Sequence, residues 1–181
     1  MKVITISGHA QHGKDTTALY MKEILEGERK RVLITHYADV LKFICKDFLG
    51  WNGVKDTYGR YLLQRAGTDV IRKQNPDFFA DFLVEVIGFF GDDLWDYVLI
   101  PDARFINELA YPAVRFPTAH VLVIRDGFSS HLSEEQKNHA SETALDDYEF
   151  EYVLHNDGSL EDLRNTTETL LRRIINDLQR L

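Results

Sequence analysis

Two glycines and a lysine near the amino end of the sequence have the spacing of a phosphate-binding loop. The pattern G-x-x-x-x-G-K is met by Gly8-His9-Ala10-Gln11-His12-Gly13-Lys14, with Asp15-Thr16 directly after it. Glycine lets a backbone turn its N–H groups inward onto phosphate oxygens, and the lysine reaches the terminal phosphates. We therefore expect residues 8–16 to hold the phosphates of a nucleotide and Lys14 to act in catalysis.

The residue that follows the lysine decides how a metal ion is bound. A serine or threonine hydroxyl is the usual magnesium ligand at this position, but here Asp15 occupies it and Thr16 comes next. Asp15 could bind the ion directly or through water, and Thr16 could instead donate to a phosphate. The alternative is a plain glycine turn before a helix, with Asp15 favourable in the first turn.

Hydrophobic patterning places this loop between a strand and a helix. The β-branched run Val3–Ile6 precedes the loop, and apolar residues at helical spacing predict a helix from Lys14 to Leu25. A second strand is predicted over Val32–Tyr37, which completes a βαβ unit. A parallel sheet follows, with ligands at the carboxyl ends of its strands.

Three further strands and a terminal helix complete the predicted domain. The strands are Tyr97–Asp102, His120–Arg125 and Tyr152–His155, and the helix begins at Ser159 with capping-box spacing and runs to Leu181. The sequence therefore predicts an α/β fold with a five-stranded parallel sheet between two helical layers. No repeat or linker divides residues 1–181, so we expect one domain.

Polar residues follow the predicted strands where a substrate would bind. Asp39 follows the second strand and is equally well explained as a helix N-cap. Asp102 ends the third strand, where a carboxylate can hold magnesium, and Arg104 lies two residues beyond it, aimed at a phosphate. Arg125 ends the fourth strand, and Asn156 follows the fifth, where it could flank an adenine base.

A helical insertion over about 39–92 is predicted to form a substrate lobe. Within it Arg65, either Thr68 or Asp69, and Arg72 are spaced to share one helix face, where the arginines could bind a phosphate. Exposed helical ion pairs are the alternative. Gly67 inside this helix predicts a close approach of another group. The apolar repeat that starts at Phe79 predicts a buried helix face, to which we assign no chemistry.

The most polar stretch of the chain, about 126–147, is predicted to form a lid over the nucleotide. A lid that closes over the phosphates excludes water from the transfer and so suppresses hydrolysis. Arg125, at its edge, would then join the site on closure.

Composition excludes several classes of protein. The 181 residues carry a net charge of −8, whereas a general nucleic-acid surface needs a basic stripe. The single cysteine, Cys45, falls on an apolar helix face and indicates core packing and a reducing compartment. With no apolar run of membrane-spanning length, we expect a cytoplasmic protein, either a monomer or a homodimer.

Six segments, in this order, resemble the phage-type deoxynucleoside monophosphate kinases, within the adenylate-kinase-like P-loop kinases. They are Gly13-Lys14-Asp15-Thr16, Ala38-Asp39-x-Leu41-Lys42, Leu63-Gln64-x-x-Gly67-Thr68-Asp69-x-x-Arg72, Asp102-x-Arg104-Phe105-x-Asn107-Glu108, His139-x-Ser141-Glu142 and Asn156-Asp157-Gly158-Ser159. The resemblance covers nearly the whole chain.

The resemblance implies transfer of the γ-phosphoryl group of ATP, with Mg²⁺, to a deoxynucleoside monophosphate. It implies that Lys14, Arg104 and Arg125 act in catalysis and that Asp15, Thr16 and Asp102 surround the metal. The acceptor-binding residues implied are Asp39, Lys42, Arg65, Asp69, Arg72, Arg104, His139 and Glu142. Related kinases that phosphorylate dephospho-coenzyme A or phosphomevalonate remain alternatives, as does a non-catalytic nucleotide switch.

Overall fold

The computed structural model describes residues 1–128, 130, 132–133 and 137–180, and contains the predicted five-stranded sheet. The strands are β1 (Lys2–Ser7), β2 (Val32–Ile34), β3 (Tyr97–Ile100), β4 (Thr118–Ile124) and β5 (Tyr152–His155). Their order is β2-β3-β1-β4-β5, and each neighbouring pair is parallel. The strand that carries the phosphate-binding loop therefore lies at the centre of the sheet.

Helices connect these strands and cover the sheet. They are α1 (Lys14–Gly27), α2 (Ala38–Phe48), α3 (Thr57–Gln64), a π-helix (Arg65–Arg72), α4 (Phe78–Leu94), α5 (Ile106–Arg115), α6 (Ala140–Thr143) and α7 (Leu160–Leu178). The backbone of α4 leaves helical geometry at Gly91. Ser129, His131 and residues 134–136 of the predicted lid, and Leu181 of the predicted terminal helix, lie outside the described residues.

Two apolar cores, one on each face of the sheet, make the three layers. On one face Ile4 and Ile6 of β1 pack with side chains of α1 and α7. On the other face Val3 and Ile100 pack with side chains of α2, α4 and α5, and Cys45 is buried among them. The alternation along β1 follows from the period of two in a strand, and burial on both faces is typical of a parallel sheet.

The second strand is shorter than predicted because of the Asp102 carboxylate, which follows the end of β3. Thr35 still donates its backbone N–H to Leu99 O, at 3.1 Å. Beyond it the chain turns, because Asp102 accepts the backbone N–H groups of Tyr37 and Ala38 at 2.9 and 3.0 Å. The prediction that Thr35–Tyr37 are β-strand is therefore wrong, and these residues lead into α2 instead.

None of the helices among the described residues combines the length and apolarity needed to cross a membrane. The terminal helix begins as its spacing predicts. Ser159 Oγ accepts the backbone N–H of Asp162, and the carboxylate of Asp162 accepts the backbone N–H of Ser159. This reciprocal capping box stabilises the first turn of α7.

Candidate active site

A cleft of about 600 Å³ opens at the carboxyl end of the sheet. Its walls come from the phosphate-binding loop, the start of α2, the π-helix, the turn after β3 and the segment around α6. The polar residues that line it include Lys14, Asp15, His36, Lys42, Gln64, Thr68, Arg72, Asp102, Arg104, Glu108, Ser141 and Glu142. Residues far apart in sequence thus meet where a parallel sheet binds its ligands.

The phosphate-binding loop has a backbone that only glycine fits at two positions. Gly8 and Gly13 have φ of 139° and 101°, in the region that side chains disfavour. A Cβ on Gly8 would lie 2.3 Å from Val123 O, and one on Gly13 would lie 2.5 Å from Asn156 Nδ2. Asn156 also donates to His12 O at 2.9 Å, so it supports the far side of the loop.

Lys14 lies inside the loop with its charged end folded back on the backbone. Its ammonium donates to Gly8 O and His9 O at 2.7 and 2.8 Å, and the residue is only 7% exposed. Burial, followed by the positive charge of Arg104, lowers the pKa of Lys14 to about 7. An anion in the cleft would oppose both effects and favour the charged ammonium.

Three oxygen-bearing residues near the loop offer the ligand chemistry that Mg²⁺ takes. Asp15 projects outward with its side chain 78% exposed and contacts His36 Nε2 at 3.2 Å. This contact lowers the pKa of Asp15 and raises that of His36. Asp102 is enclosed, and its burial raises the pKa of its carboxyl. Carboxylates of Asp15 and Asp102 with the hydroxyl of Thr16 suit a hard cation.

Arg72 meets a buried carboxylate on the opposite side of the cleft from the loop. Its guanidinium pairs with Glu108 and lies over the rings of Phe79 and Phe105, with Arg72 Cζ 4.4 and 4.3 Å from the ring centroids. Glu108 also accepts the backbone N–H groups of Arg104 and Phe105 at 2.7 and 3.2 Å. Burial raises the pKa of Glu108 to about 7, although Arg72 opposes this shift.

Arg104 forms a second ion pair, with Glu142 next to the phosphate-binding loop. Its Nη1 donates to Glu142 Oε1 at 2.5 Å and to Ser141 O at 3.2 Å. The other oxygen of Glu142 accepts the backbone N–H of Ala10 at 3.0 Å. A carboxylate of the chain itself therefore occupies an N–H group of the loop. His139 does not line the cleft; its Nδ1 accepts the backbone N–H of Ser141 and caps α6.

Of the predicted helix face, Thr68 and Arg72 line the cleft together, but the extension of that face to Arg65 is wrong, because this segment is a π-helix. Hydrogen bonds from i to i+5 reduce the rotation per residue, so positions seven apart no longer share a face. Arg72 lines the cleft, whereas Arg65 and Asp69 are exposed outside it, and Arg65 donates to Tyr61 Oη. The close approach expected at Gly67 is to Leu41, since a Cβ there would lie 2.7 Å from Leu41 Cδ2.

Among the residues predicted to bind the acceptor or to act in catalysis, Asp39 and Arg125 also lie outside the cleft lining. Asp39 is the second residue of α2 and not its N-cap, so the capping alternative is wrong. Its carboxylate accepts the backbone N–H of His36 at 3.1 Å and pairs with Lys42 at 2.7 Å. The guanidinium of Arg125 lies over the ring of Phe128, with Arg125 Cζ 4.5 Å from the centroid. Their parts in acceptor binding and catalysis stay predictions.

Several residues of the cleft have no role in the sequence-based prediction, among them His36, Phe79 and Glu108. His36 comes at the end of a strand, so the strand-end rule could have found it. Phe79 is buried, as the helical repeat predicts, and its ring also lies against the guanidinium of Arg72. Glu108 stands in the first turn of α5, where an acidic residue reads simply as a cap.

Comparison with known proteins gives one family. A family model described as deoxynucleotide monophosphate kinase matches residues 50–167. The deoxynucleotide monophosphate kinase of Escherichia phage RB69 is 31% identical over 124 residues, which are 67% of this chain and 48% of that protein. The chain thus spans about half the length of this curated relative.

Two solved structures share the fold at low sequence identity. The APS kinase of Mycobacterium tuberculosis gives a TM-score of 0.52 at 12% identity, over 94% of this chain and 96% of that chain. A sugar kinase from Janibacter sp. gives 0.54 at 14% identity, over 94% of each chain. At such identities the likeness shows the fold alone, which is the predicted P-loop kinase architecture.

Proposed function

Because the chain belongs to the deoxynucleotide monophosphate kinase family, we propose that it transfers the γ-phosphoryl group of ATP to a deoxynucleoside monophosphate. The observation that carries this proposal is the convergence of Lys14, Arg72 and Arg104 on one cleft, from three separate elements of the fold. A phosphoryl transfer between two nucleotides needs cations for both of its phosphate groups.

In the proposed mechanism, the loop over residues 8–16 holds the phosphates of ATP. Its inward N–H groups and the Lys14 ammonium neutralise the charge on the β and γ groups, and Asn156 keeps the loop in shape. Asp15, Thr16 and Asp102 would hold Mg²⁺, which would supply further neutralisation of charge on the phosphate oxygens. ATP also displaces the Glu142 carboxylate from the N–H of Ala10.

Arg72 and Arg104 hold the phosphate of the acceptor in line with the γ-phosphoryl group. Arginine suits this task because its planar guanidinium donates two parallel hydrogen bonds to phosphate oxygens. The attacking group is a phosphate oxygen that is already ionised near neutral pH, so no general base is required. Catalysis consists of positioning and charge neutralisation.

The finer assignments rest on the same proposal. The lid over about 126–147, including Arg125 and Glu142, closes on the bound nucleotides, and the helical segment over about 39–92 forms the acceptor lobe of a single domain. ATP and the acceptor are the partners, with no nucleic acid, and the protein works in the cytoplasm as a monomer or homodimer. The buried free cysteine and the net charge of −8 support these assignments.

The test is ADP release from MgATP with a panel of acceptors. The panel contains deoxynucleoside and ribonucleoside monophosphates, dephospho-coenzyme A and phosphomevalonate, each with wild type, Arg72→Ala and Arg104→Ala. We expect turnover with one or more deoxynucleotides that both variants lose. Turnover only with the last two acceptors would identify a different kinase. ATP binding without acceptor-dependent ADP release would contradict the proposal and favour a nucleotide switch.

A further inference from the structure

Arg72 is held from three sides and is open on the fourth. The rings of Phe79 and Phe105 lie against its guanidinium, Glu108 takes one edge, and its side chain is 16% exposed. A guanidinium has five N–H donors in a fixed plane, so donors remain for a ligand in the cleft. The direction in which they point is set by the group that binds the first edge.

That group, Glu108, is itself fixed to the backbone. Its residue is 1% exposed, and its carboxylate accepts the N–H groups of Arg104 and Phe105 within its own turn. Tyr37 Oη donates to the backbone carbonyl of Glu108 at 2.6 Å and ties the same turn to the start of α2. The carboxylate cannot swing away unless the first turn of α5 opens.

We propose that Glu108 is the positioning residue for the acceptor phosphate, because one buried carboxylate orients the guanidinium of Arg72 and the backbone of Arg104 together. The inference rests on the proposed kinase activity and names a residue that acts through both arginines without touching the phosphate. Glu108 thereby sets the distance between two cations that enter the cleft from different elements.

A purely structural role predicts a different outcome from a positioning role. Glutamine at this position keeps a carbonyl oxygen for the two backbone N–H groups, so α5 keeps its cap. Its amide nitrogen then faces the guanidinium of Arg72, which has lost its acceptor. Glu108→Gln therefore releases Arg72 while the cap stays in place.

The experiment measures KM for the acceptor, KM for ATP and kcat in wild type, Glu108→Gln and Glu85→Gln. Glu85 is the matched control, since it also pairs with an arginine, Arg115, at 2.8 Å, but its side chain is 52% exposed and it does not line the cleft. In Glu108→Gln we expect KM for the acceptor to rise about 10- to 100-fold, the scale of a misplaced binding group. KM for ATP and every constant of Glu85→Gln should stay at wild-type values.

Two results would overturn the inference: an unchanged KM for the acceptor, or equal rises in the KM of both substrates. If Glu108→Gln does not fold, Glu108→Asp replaces it, since the shorter side chain can still cap the helix but no longer reaches Arg72. Wild-type protein in the same assay separates the two proposals, because failure of acceptor-dependent ADP release there refutes the kinase itself.

Discussion

The cleft contains two arginine–glutamate ion pairs that differ in burial and in the backbone N–H groups that their carboxylates accept. In the Arg72–Glu108 pair, the carboxylate stands on α5, has a 1% exposed side chain and accepts backbone N–H groups of its own turn. In the Arg104–Glu142 pair, the carboxylate stands on the four-residue α6, is 11% exposed and accepts an N–H group of the phosphate-binding loop.

The Arg72–Glu108 pair is therefore permanent, whereas the Arg104–Glu142 pair can be exchanged for contacts with a ligand. Glu108 accepts the backbone N–H groups of Arg104 and Phe105 at the start of α5, and a ligand in the cleft cannot take the place of these donors. Glu142 uses the Ala10 N–H and the Arg104 guanidinium, which are the donors that phosphate oxygens would take. The first pair therefore builds the cleft, whereas the second occupies donors in it that an anionic ligand could take.

Removal of each arginine in turn should give the largest difference in stability between the two pairs. Arg72→Ala leaves the Glu108 carboxylate buried and unpaired, and we expect a loss of about 3–5 kcal/mol in the free energy of unfolding at pH 8. Arg104→Ala leaves Glu142 with the Ala10 N–H as its partner on the short α6, and we expect a smaller loss of about 1 kcal/mol. Urea unfolding measures both, and equal losses would contradict the distinction.

The dependence of the free energy of unfolding on pH tests the buried Arg72–Glu108 pair. The pKa of Glu108 is about 7 when folded, against an ordinary 4.5, so the folded protein binds more protons between these values. Stability should then fall as pH rises from about 4.5 to 7, by at most about 3 kcal/mol from this group. Glu108→Gln should remove that decline in urea unfolding curves, whereas Glu142→Gln should keep it.

A methyl group on Gly67 should disturb one pair and leave the other intact. The new Cβ would lie 2.7 Å from Leu41 Cδ2 and push the π-helix, with Arg72, away from α2. We expect Gly67→Ala to lose about 1–3 kcal/mol of stability and to raise KM for the acceptor but not for ATP. Gly27→Ala is the control, since no heavy atom lies within 4 Å of its added Cβ.

Neutralising the exchangeable carboxylate should strengthen ATP binding. Glu142→Gln keeps the shape of the side chain but weakens its competition for the Ala10 N–H and the Arg104 guanidinium. We expect the Kd for ATP, measured by calorimetry without acceptor, to fall by about fivefold, or roughly 1 kcal/mol. Glu149→Gln, an exposed change of the same net charge, should leave Kd unaltered. A weaker Kd in Glu142→Gln would show that Glu142 assists ATP binding instead.

The fold was predictable because its signals are local. Each strand is a short apolar run, and the loop motif between β1 and α1 identifies the binding edge of the sheet. From this rule alone Lys14, Asp102 and Arg104 were placed at the cleft, where the structure has them. Asp102 lines the cleft and also accepts two backbone N–H groups at the start of α2, a contact that the sequence does not predict.

The remaining features depend on contacts that no single segment encodes. The π-helix separates Arg65 from Arg72, and sequence spacing carries no mark of that change in period. Glu108 looks like an ordinary cap until Arg72, 36 residues earlier in the chain, is brought against it. His139, predicted to bind substrate, caps α6, because the short helix that presents Glu142 needs an acceptor at its start.

The central position of β1 limits the local motions of the protein. Hydrogen bonds to β3 on one side and β4 on the other cover Ile4, whose side chain is fully buried. Its amide should exchange with deuterium only when the whole domain unfolds, while amides of α6 should exchange through local opening. We therefore expect the phosphate-binding loop to adjoin the slowest-exchanging strand of the molecule. The Glu142 carboxylate that occupies the loop lies on a helix whose amides should exchange much faster.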